Sequence, residues 1–147
     1  MMKKVILLIS TLIFLFSIAY AGNFGVGIIA GEPTGISFRL WQNKVNAFDF
    51  GIAWSIDANI LHISADYVTH NYGIFKPTSG TMPFYYGIGL RILAKDNTNF
   101  GVRVPLGIVF IPKGTTLDFF FEIVPTLNLV PATNLDVDVA VGFRYYF

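Results

Sequence analysis

After residue 22, apolar residues alternate with polar or small residues at every second position along most of the chain. In the last segment, one face would carry Val137, Val139, Val141, Phe143, Tyr145 and Phe147, and the other Asp136, Asp138, Ala140, Gly142, Arg144 and Tyr146. A period of two is typical of β-strands, whereas an amphipathic helix repeats its apolar positions every three or four residues. We find no helical period beyond residue 22, so we predict an all-β domain.

Clusters of Gly, Pro, Asn and Asp divide this region into eight predicted strands. These strands are Phe24–Ala30, Ile36–Trp41, Val45–Ser55, Asn59–Thr69, Phe84–Ala94, Asn99–Phe110, Leu117–Leu129 and Leu135–Phe147. Most links are short, which favours antiparallel neighbours, and eight strands are enough to close an up-and-down barrel without free edges. Pro105 and Pro125 fall inside predicted strands, where we expect bulges or positions that tolerate a missing N–H.

The charged residues share the strand face that also carries the small residues. All four arginines lie on this face, whereas the four lysines after residue 22 lie in turns. A solvated face would normally carry lysine, while the planar guanidinium of arginine suits ion pairs with carboxylates in a narrow lumen. The predicted lumen charge network consists of Arg39, Asp49, His62, Asp66, Arg91, Arg103, Asp118, Glu122, Asp136, Asp138 and Arg144.

The apolar face then points outward. An eight-stranded barrel has an interior just wide enough for side chains, and it cannot pack the bulky apolar residues of eight strands. We therefore predict a closed antiparallel up-and-down eight-stranded transmembrane β-barrel with a polar, side-chain-filled lumen and no open pore. Aromatic residues expected to form interfacial girdles are Trp41, Trp54, Tyr67, Phe84, Tyr145 and Phe147. The alternative is a soluble periplasmic barrel that holds a lipophilic ligand.

The N-terminus has the form of a bacterial signal peptide. Lys3 and Lys4 precede an apolar run, and Ala19-Tyr20-Ala21 fits the rule for cleavage before Gly22. We predict that residues 1–21 are removed and that residues 22–147 form a barrel in the bacterial outer membrane. A retained anchor is less favoured, because the run is shorter than the ~20 residues of a spanning helix.

Composition narrows the possible chemistry. The chain has no cysteine, and its 10 Lys and Arg against 9 Asp and Glu leave no basic patch for nucleic acid. His62, Ser64 and Asp66 alternate on one strand, but such residues lie ~6.5–7 Å apart, too far for a nucleophile–base hydrogen bond. We therefore predict no catalytic residue, no metal and no cofactor, with a lipid-modifying enzyme as a further alternative.

The region as a whole resembles the small eight-stranded outer-membrane β-barrels of the OmpA and OmpX type. Its last strand is similar to the terminal signature of that class, with alternating apolar residues, Tyr145 third from the end and a terminal Phe147. The resemblance implies an insertion signal, read by the barrel-assembly machinery, at Val139, Val141, Phe143, Tyr145 and Phe147.

The resemblance also implies a protein surrounded by outer-membrane lipid, for which we expect a monomer with a structural or interaction role in the envelope. One feature departs from the class pattern. With both termini in the periplasm, the long Asn71–Pro83 link is periplasmic and the outer loops are short. The loop-based adhesion or protease-binding roles of the class are therefore not carried over.

Overall fold

The computed structural model describes residues 2–19, 23–31, 34–55 and 59–147. Within these residues there are one helix, α1 (Met2–Ala19), and ten strands. The strands are β1 (Phe24–Ala30), β2 (Thr34–Trp41), β3 (Asn46–Ser55), β4 (Ile60–Asn71), β5 (Gly80–Thr81), β6 (Phe84–Ala94), β7 (Thr98–Arg103), β8 (Leu106–Pro112), β9 (Leu117–Val130) and β10 (Asn134–Tyr146). The predicted cleavage site at Ala21–Gly22 lies outside the described residues, and cleavage stays a prediction.

Antiparallel pairing runs around the molecule and closes on itself. Consecutive long strands pair from β1 to β4, β4 pairs with β6, and β10 pairs with both β9 and β1. The strands β7 and β8 together occupy the position between β6 and β9. The predicted closed, antiparallel, up-and-down, eight-stranded barrel is therefore confirmed. Among the described residues, no helix is long and apolar enough to cross a membrane.

The sixth predicted strand is divided into β7 and β8 at Val104 and Pro105. Gly87 N–H donates to the Pro105 carbonyl at 3.1 Å, and Val104 N–H donates to the Pro125 carbonyl at 2.9 Å. Neither proline has an N–H to return, so the ladder loses two hydrogen bonds at one place. The register of β6 is the same on both sides of this break. The bulge lies elsewhere, at Phe100 and Gly101 opposite β9.

The long connection after β4 is more ordered than the sequence predicts. β4 continues to Asn71, two residues beyond the predicted end, and the short strand β5 follows within the connection. Gly80 and Thr81 of β5 pair with Pro112 and Ile111 at the end of β8. Part of the connection is thus attached to the barrel rim.

The two faces of the wall differ in chemistry. Apolar side chains point outward, as for Ile88, which is 61% exposed, whereas Arg39 is 0% exposed inside. We expected Trp41 in an outer girdle, but this is wrong. Trp41 lies two residues from Arg39 and therefore on the inner face, where it is half-buried and packs against a small apolar core formed by Ala47, Val68, Tyr85, Val109 and Phe120.

Glycines on the inner face make room for large neighbours. Gly107 is paired with Tyr85 and Gly142 with Phe120 on adjacent strands. A Cβ atom added at either glycine would collide with the ring of that partner. The narrow interior is therefore filled by pairing a large side chain with a residue that has none.

Candidate functional site

The barrel interior holds most of the charged residues, which form groups along its length from one end to the other. The terminus end is the end that carries the start of β1, the end of β10, the turns 42–45 and 113–116 and the connection 72–83. The opposite end carries the connections after β1, β3, β6 and β9.

Arg39 organises the interior near the terminus end. It is paired with Asp49 on the adjacent strand, and its Nε and Nη2 donate to the two Asp49 oxygens at 2.5 and 2.6 Å. This two-point contact has the geometry of a strong arginine–carboxylate pair. The guanidinium also lies 4.9 Å from the ring centre of Tyr85.

His70 extends this pair to the rim. Arg39 Nη1 donates to His70 Nε2 at 2.8 Å, so Nε2 is unprotonated and Nδ1 carries the hydrogen. His70 Nδ1 then donates to the Val45 carbonyl at 2.9 Å. The His70 ring lies 4.4 Å from the Trp41 ring. One continuous set of contacts therefore joins the lumen to the exposed turn 42–45.

Arg144 forms a second buried ion pair beside the first. Its Nε lies 3.0 Å from Asp118 Oδ1, and its Nη1 lies 3.5 Å from Asp49. Tyr146 donates its hydroxyl to Asp118 at 2.5 Å. Arg144 also lies 4.3 Å from the ring centre of Phe120. Asp49 thus joins the two arginines in one network.

The middle of the lumen contains a looser group. Arg103 Nε lies 3.1 Å from Asp66 Oδ1, but neither atom is aligned for a hydrogen bond. Arg103 Nη2 lies 3.7 Å from Glu122, whose other oxygen accepts from the Tyr85 hydroxyl at 2.8 Å. Two carboxylates therefore share one arginine.

Arg91 gathers the acids nearest the opposite end. It donates to Asp138 at 2.8 Å, to Asp136 at 2.9 Å and to the Asn128 carbonyl oxygen at 2.6 Å. Asn128 in turn donates to Asp136 at 2.7 Å. His62 Nε2 lies 3.7 Å from Asp138 without a hydrogen bond.

The structure places all eleven residues of the predicted lumen network on the inner face. They form three groups: the terminus-end group around Arg39 and Arg144, the middle group around Arg103, and the opposite-end group around Arg91. Sequence reasoning did not include four members: His70, Tyr85, Asn128 and Tyr146. The period of two was the available signal, because His70 continues the inward series of His62 and Asp66 along β4.

Small cavities lie between the charged groups of the lumen. One of about 40 Å³ is lined by His62, Ser64 and Arg103 among others, and one of about 20 Å³ by Asp66 and Arg144 among others. These volumes suit one or two water molecules and no larger ligand. Three nearby polar atoms lack a hydrogen-bond partner in the protein, namely His62 Nε2, Asp66 Oδ1 and Arg103 Nε.

His62, Ser64 and Asp66 have different neighbours. His62 faces Asp138, while Asp66 faces Arg103. Among the residues described by the structure, no group of three or more His, Asp or Glu side chains is placed to hold a metal ion. The predicted insertion-signal residues of β10 have exposed side chains on the outer face, as does the terminal Phe147.

A larger cavity, the mouth cleft, opens at the terminus end with a volume of about 780 Å³. Its lining residues are Asn23, Trp41, Gln42, Asn43, Lys44, Val45, Tyr72 and Ile111. Burial raises the pKa of the Tyr72 hydroxyl above its usual value, so the group stays protonated and donates to the Lys44 carbonyl at 2.9 Å.

No protein-family model, curated protein or solved structure matches this chain.

Proposed function

We propose that this chain is an integral outer-membrane β-barrel of the small OmpA and OmpX class, with a structural or interaction role in the envelope. In this proposal residues 1–21 are removed as a signal peptide, and the terminus end faces the periplasm. The observation that carries the proposal is the contrast between an apolar outer wall and an arginine-rich interior.

The outer wall is apolar on every side of the barrel. Each of the eight barrel strands contributes an exposed large apolar residue, for example Ile28, Ile36, Ile52, Ile63, Ile88, Leu106, Phe121 and Val139. Soluble monomers rarely expose continuous apolar patches above roughly 300–600 Å². In lipid the same surface is favourable, and a closed barrel leaves no strand edge to meet hydrocarbon.

The interior supports the membrane proposal over a soluble carrier of lipophilic ligands. An apolar ligand inside this barrel would have to contact Arg39, Arg91, Arg103 and Arg144 and their carboxylate partners, all within the lumen. Separating such buried pairs leaves uncompensated charges, which is strongly unfavourable.

Cell fractionation followed by gel electrophoresis of unheated and boiled samples tests the proposal. We expect the chain in the outer-membrane fraction, resistant to extraction by carbonate, and migrating faster before boiling because the closed barrel survives detergent. A periplasmic soluble species with no heat-dependent shift would contradict it.

A further inference from the structure

The floor of the mouth cleft is a fixed aromatic platform. The Trp41 ring contacts His70 at 4.4 Å, and the Arg39 guanidinium lies 5.4 Å from its centre. His70 is itself held between Arg39 and the Val45 carbonyl. Trp41 therefore needs no reordering to receive a flat apolar surface, which lowers the entropic cost of binding.

The rim of the cleft offers hydrogen-bond donors. Asn43 uses its carbonyl oxygen to accept from the backbone of Val45 and Asn46 at 2.9 and 2.8 Å. The Gln42 carbonyl oxygen accepts from the Tyr67 hydroxyl at 3.3 Å. The amide NH₂ groups of Gln42 and Asn43 remain as donors, together with the ammonium of Lys44. A matching ligand must supply acceptors.

The connections at the two ends of the barrel differ in charge. The terminus-end segments 42–45, 72–83 and 113–116 contain Lys44, Lys76 and Lys113 and no acidic residue. Among the described residues, the connections at the opposite end contain one acid, Asp96, beside one lysine, Lys95. A local excess of one sign raises the concentration of ligands of the other sign, so the terminus end favours an anion.

We propose that the mouth cleft binds an N-acetylated glycan that bears carboxylates, the chemistry of a bacterial cell-wall strand. A sugar ring stacks its apolar face on Trp41, its acetamido and hydroxyl oxygens accept from Gln42 and Asn43, and a carboxylate lies near Lys44. The volume of about 780 Å³ falls within the roughly 300–1,000 Å³ of ligand sites.

The position of the cleft favours a ligand from the aqueous phase over a lipid headgroup. Trp41 and Ile111 line it from the inner face of the barrel, where both pack against the core, whereas lipid contacts the outer wall. This inference rests on the proposed function, because only the proposed orientation places the cleft in the periplasm, beside the cell wall.

Tryptophan fluorescence tests the site directly. The chain has two tryptophans, so the Trp54→Phe variant keeps Trp41 as its single fluorescent reporter. The variant is purified from the cell fraction in which the parent protein is found. The probes are a soluble disaccharide muropeptide, which has carboxylates, and the neutral tetramer of N-acetylglucosamine. We expect a saturable change in emission with both probes and tighter binding of the muropeptide.

Two charge variants provide the matched comparison. Lys44→Gln should weaken muropeptide binding by about threefold and weaken binding of the neutral tetramer less. Lys95→Gln, at the opposite end, should change neither. Equal effects of the two variants would overturn the assignment of the carboxylate to Lys44.

Two further results would overturn the glycan site. The first is no saturable change with either probe at about 10 mM, where millimolar binding is visible. The second is a change in Trp41 emission on transfer to phosphatidylglycerol nanodiscs that the muropeptide does not reverse, which would indicate headgroup binding. Fractionation is independent of these titrations, so an outer-membrane protein without glycan binding would keep the proposed function and lose only this site.

Discussion

At the residue scale, three of the four buried arginines are paired and hydrogen-bonded, each in a different way. Arg39 has a two-point contact with one carboxylate, Arg144 lies between Asp118 and Asp49, and Arg91 reaches two acids and an amide. Burying a charge is tolerated only when it is paired and hydrogen-bonded. These residues therefore form a network in which the loss of one member leaves another exposed to a low-dielectric interior.

Arg144→Leu should destabilise the barrel by about 3–5 kcal/mol, because Asp118 would lose its charge partner in the interior. Asp118 is 0% exposed, so water cannot replace that partner. The measurement is urea unfolding in detergent, followed by fluorescence. Lys95→Leu, in an exposed turn, is the control and should leave the midpoint unchanged. A parent-like midpoint for Arg144→Leu would show that this pair does not stabilise the fold.

Gly107→Ala should destabilise the barrel by about 1–3 kcal/mol, the usual cost of overpacking. The added methyl group would meet the Tyr85 ring, which is fully buried. The cost should shrink when the same change is made in a Tyr85→Leu background, because a smaller side chain can give way. A double-mutant cycle measures this coupling. Additive effects would mean that the two residues do not compete for space.

At the element scale, β10 closes the barrel and ends the chain. It pairs with β9 from Asn134 to Tyr145 and with β1 near its end. The backbone N–H of Phe147 donates to the Phe24 carbonyl at 3.1 Å, but its side chain is 56% exposed and its ring contacts Tyr145 alone among the aromatic pairs. The terminal ring thus contributes little to the fold of the barrel itself.

Phe147→Ala should separate folding from assembly. We expect the purified variant to refold in detergent with a midpoint within about 0.5 kcal/mol of the parent, as for an exposed position. In cells, we expect less heat-shifted barrel in the outer membrane, because the terminal aromatic belongs to the proposed insertion signal. Phe143→Leu, which keeps an apolar residue, is the comparison. Parent-like levels of assembled Phe147→Ala would contradict a role for the terminal ring in insertion.

At the scale of the whole molecule, exposed apolar residues lie both on the outer wall of the barrel and in the connection at the terminus end. Ile88 lies near the middle of β6 on the outer face, whereas Ile74 lies in the terminus-end connection, and both are exposed. The two isoleucines have similar exposure in the isolated chain. The cost of replacing them with a charged residue differs only if the barrel wall is surrounded by lipid and the connection by water.

Ile88→Arg should cost about 2–4 kcal/mol of membrane insertion, the value for arginine on the lipid face near the bilayer midplane. Ile74→Arg should be neutral. The amount of heat-shifted protein in the outer-membrane fraction measures both. Equal behaviour of the two variants would indicate that water, not lipid, surrounds the wall.

The sequence predicts the architecture because the information is local. Alternation along each strand assigned Arg39, Asp66 and Arg144 to the inner face, and turn-forming clusters set the number of strands. It also placed Pro105 and Pro125 inside strands, and the strand is broken at Pro105 between β7 and β8, whereas β9 runs unbroken through Pro125. The error at Trp41 came from assigning a strand-end aromatic to the girdle without following the alternation from Arg39.

By itself, then, the sequence determined the all-β class, the strand count and the side of the wall on which each charge lies. Only the tertiary structure decided which charges meet. Arg91 pairs with Asp136 and Asp138, 45 and 47 residues away, because barrel closure brings β10 across the lumen from β6. The mouth cleft likewise combines Trp41 with Ile111 of a distant strand. Such contacts depend on how the closed sheet curves, which no local pattern specifies.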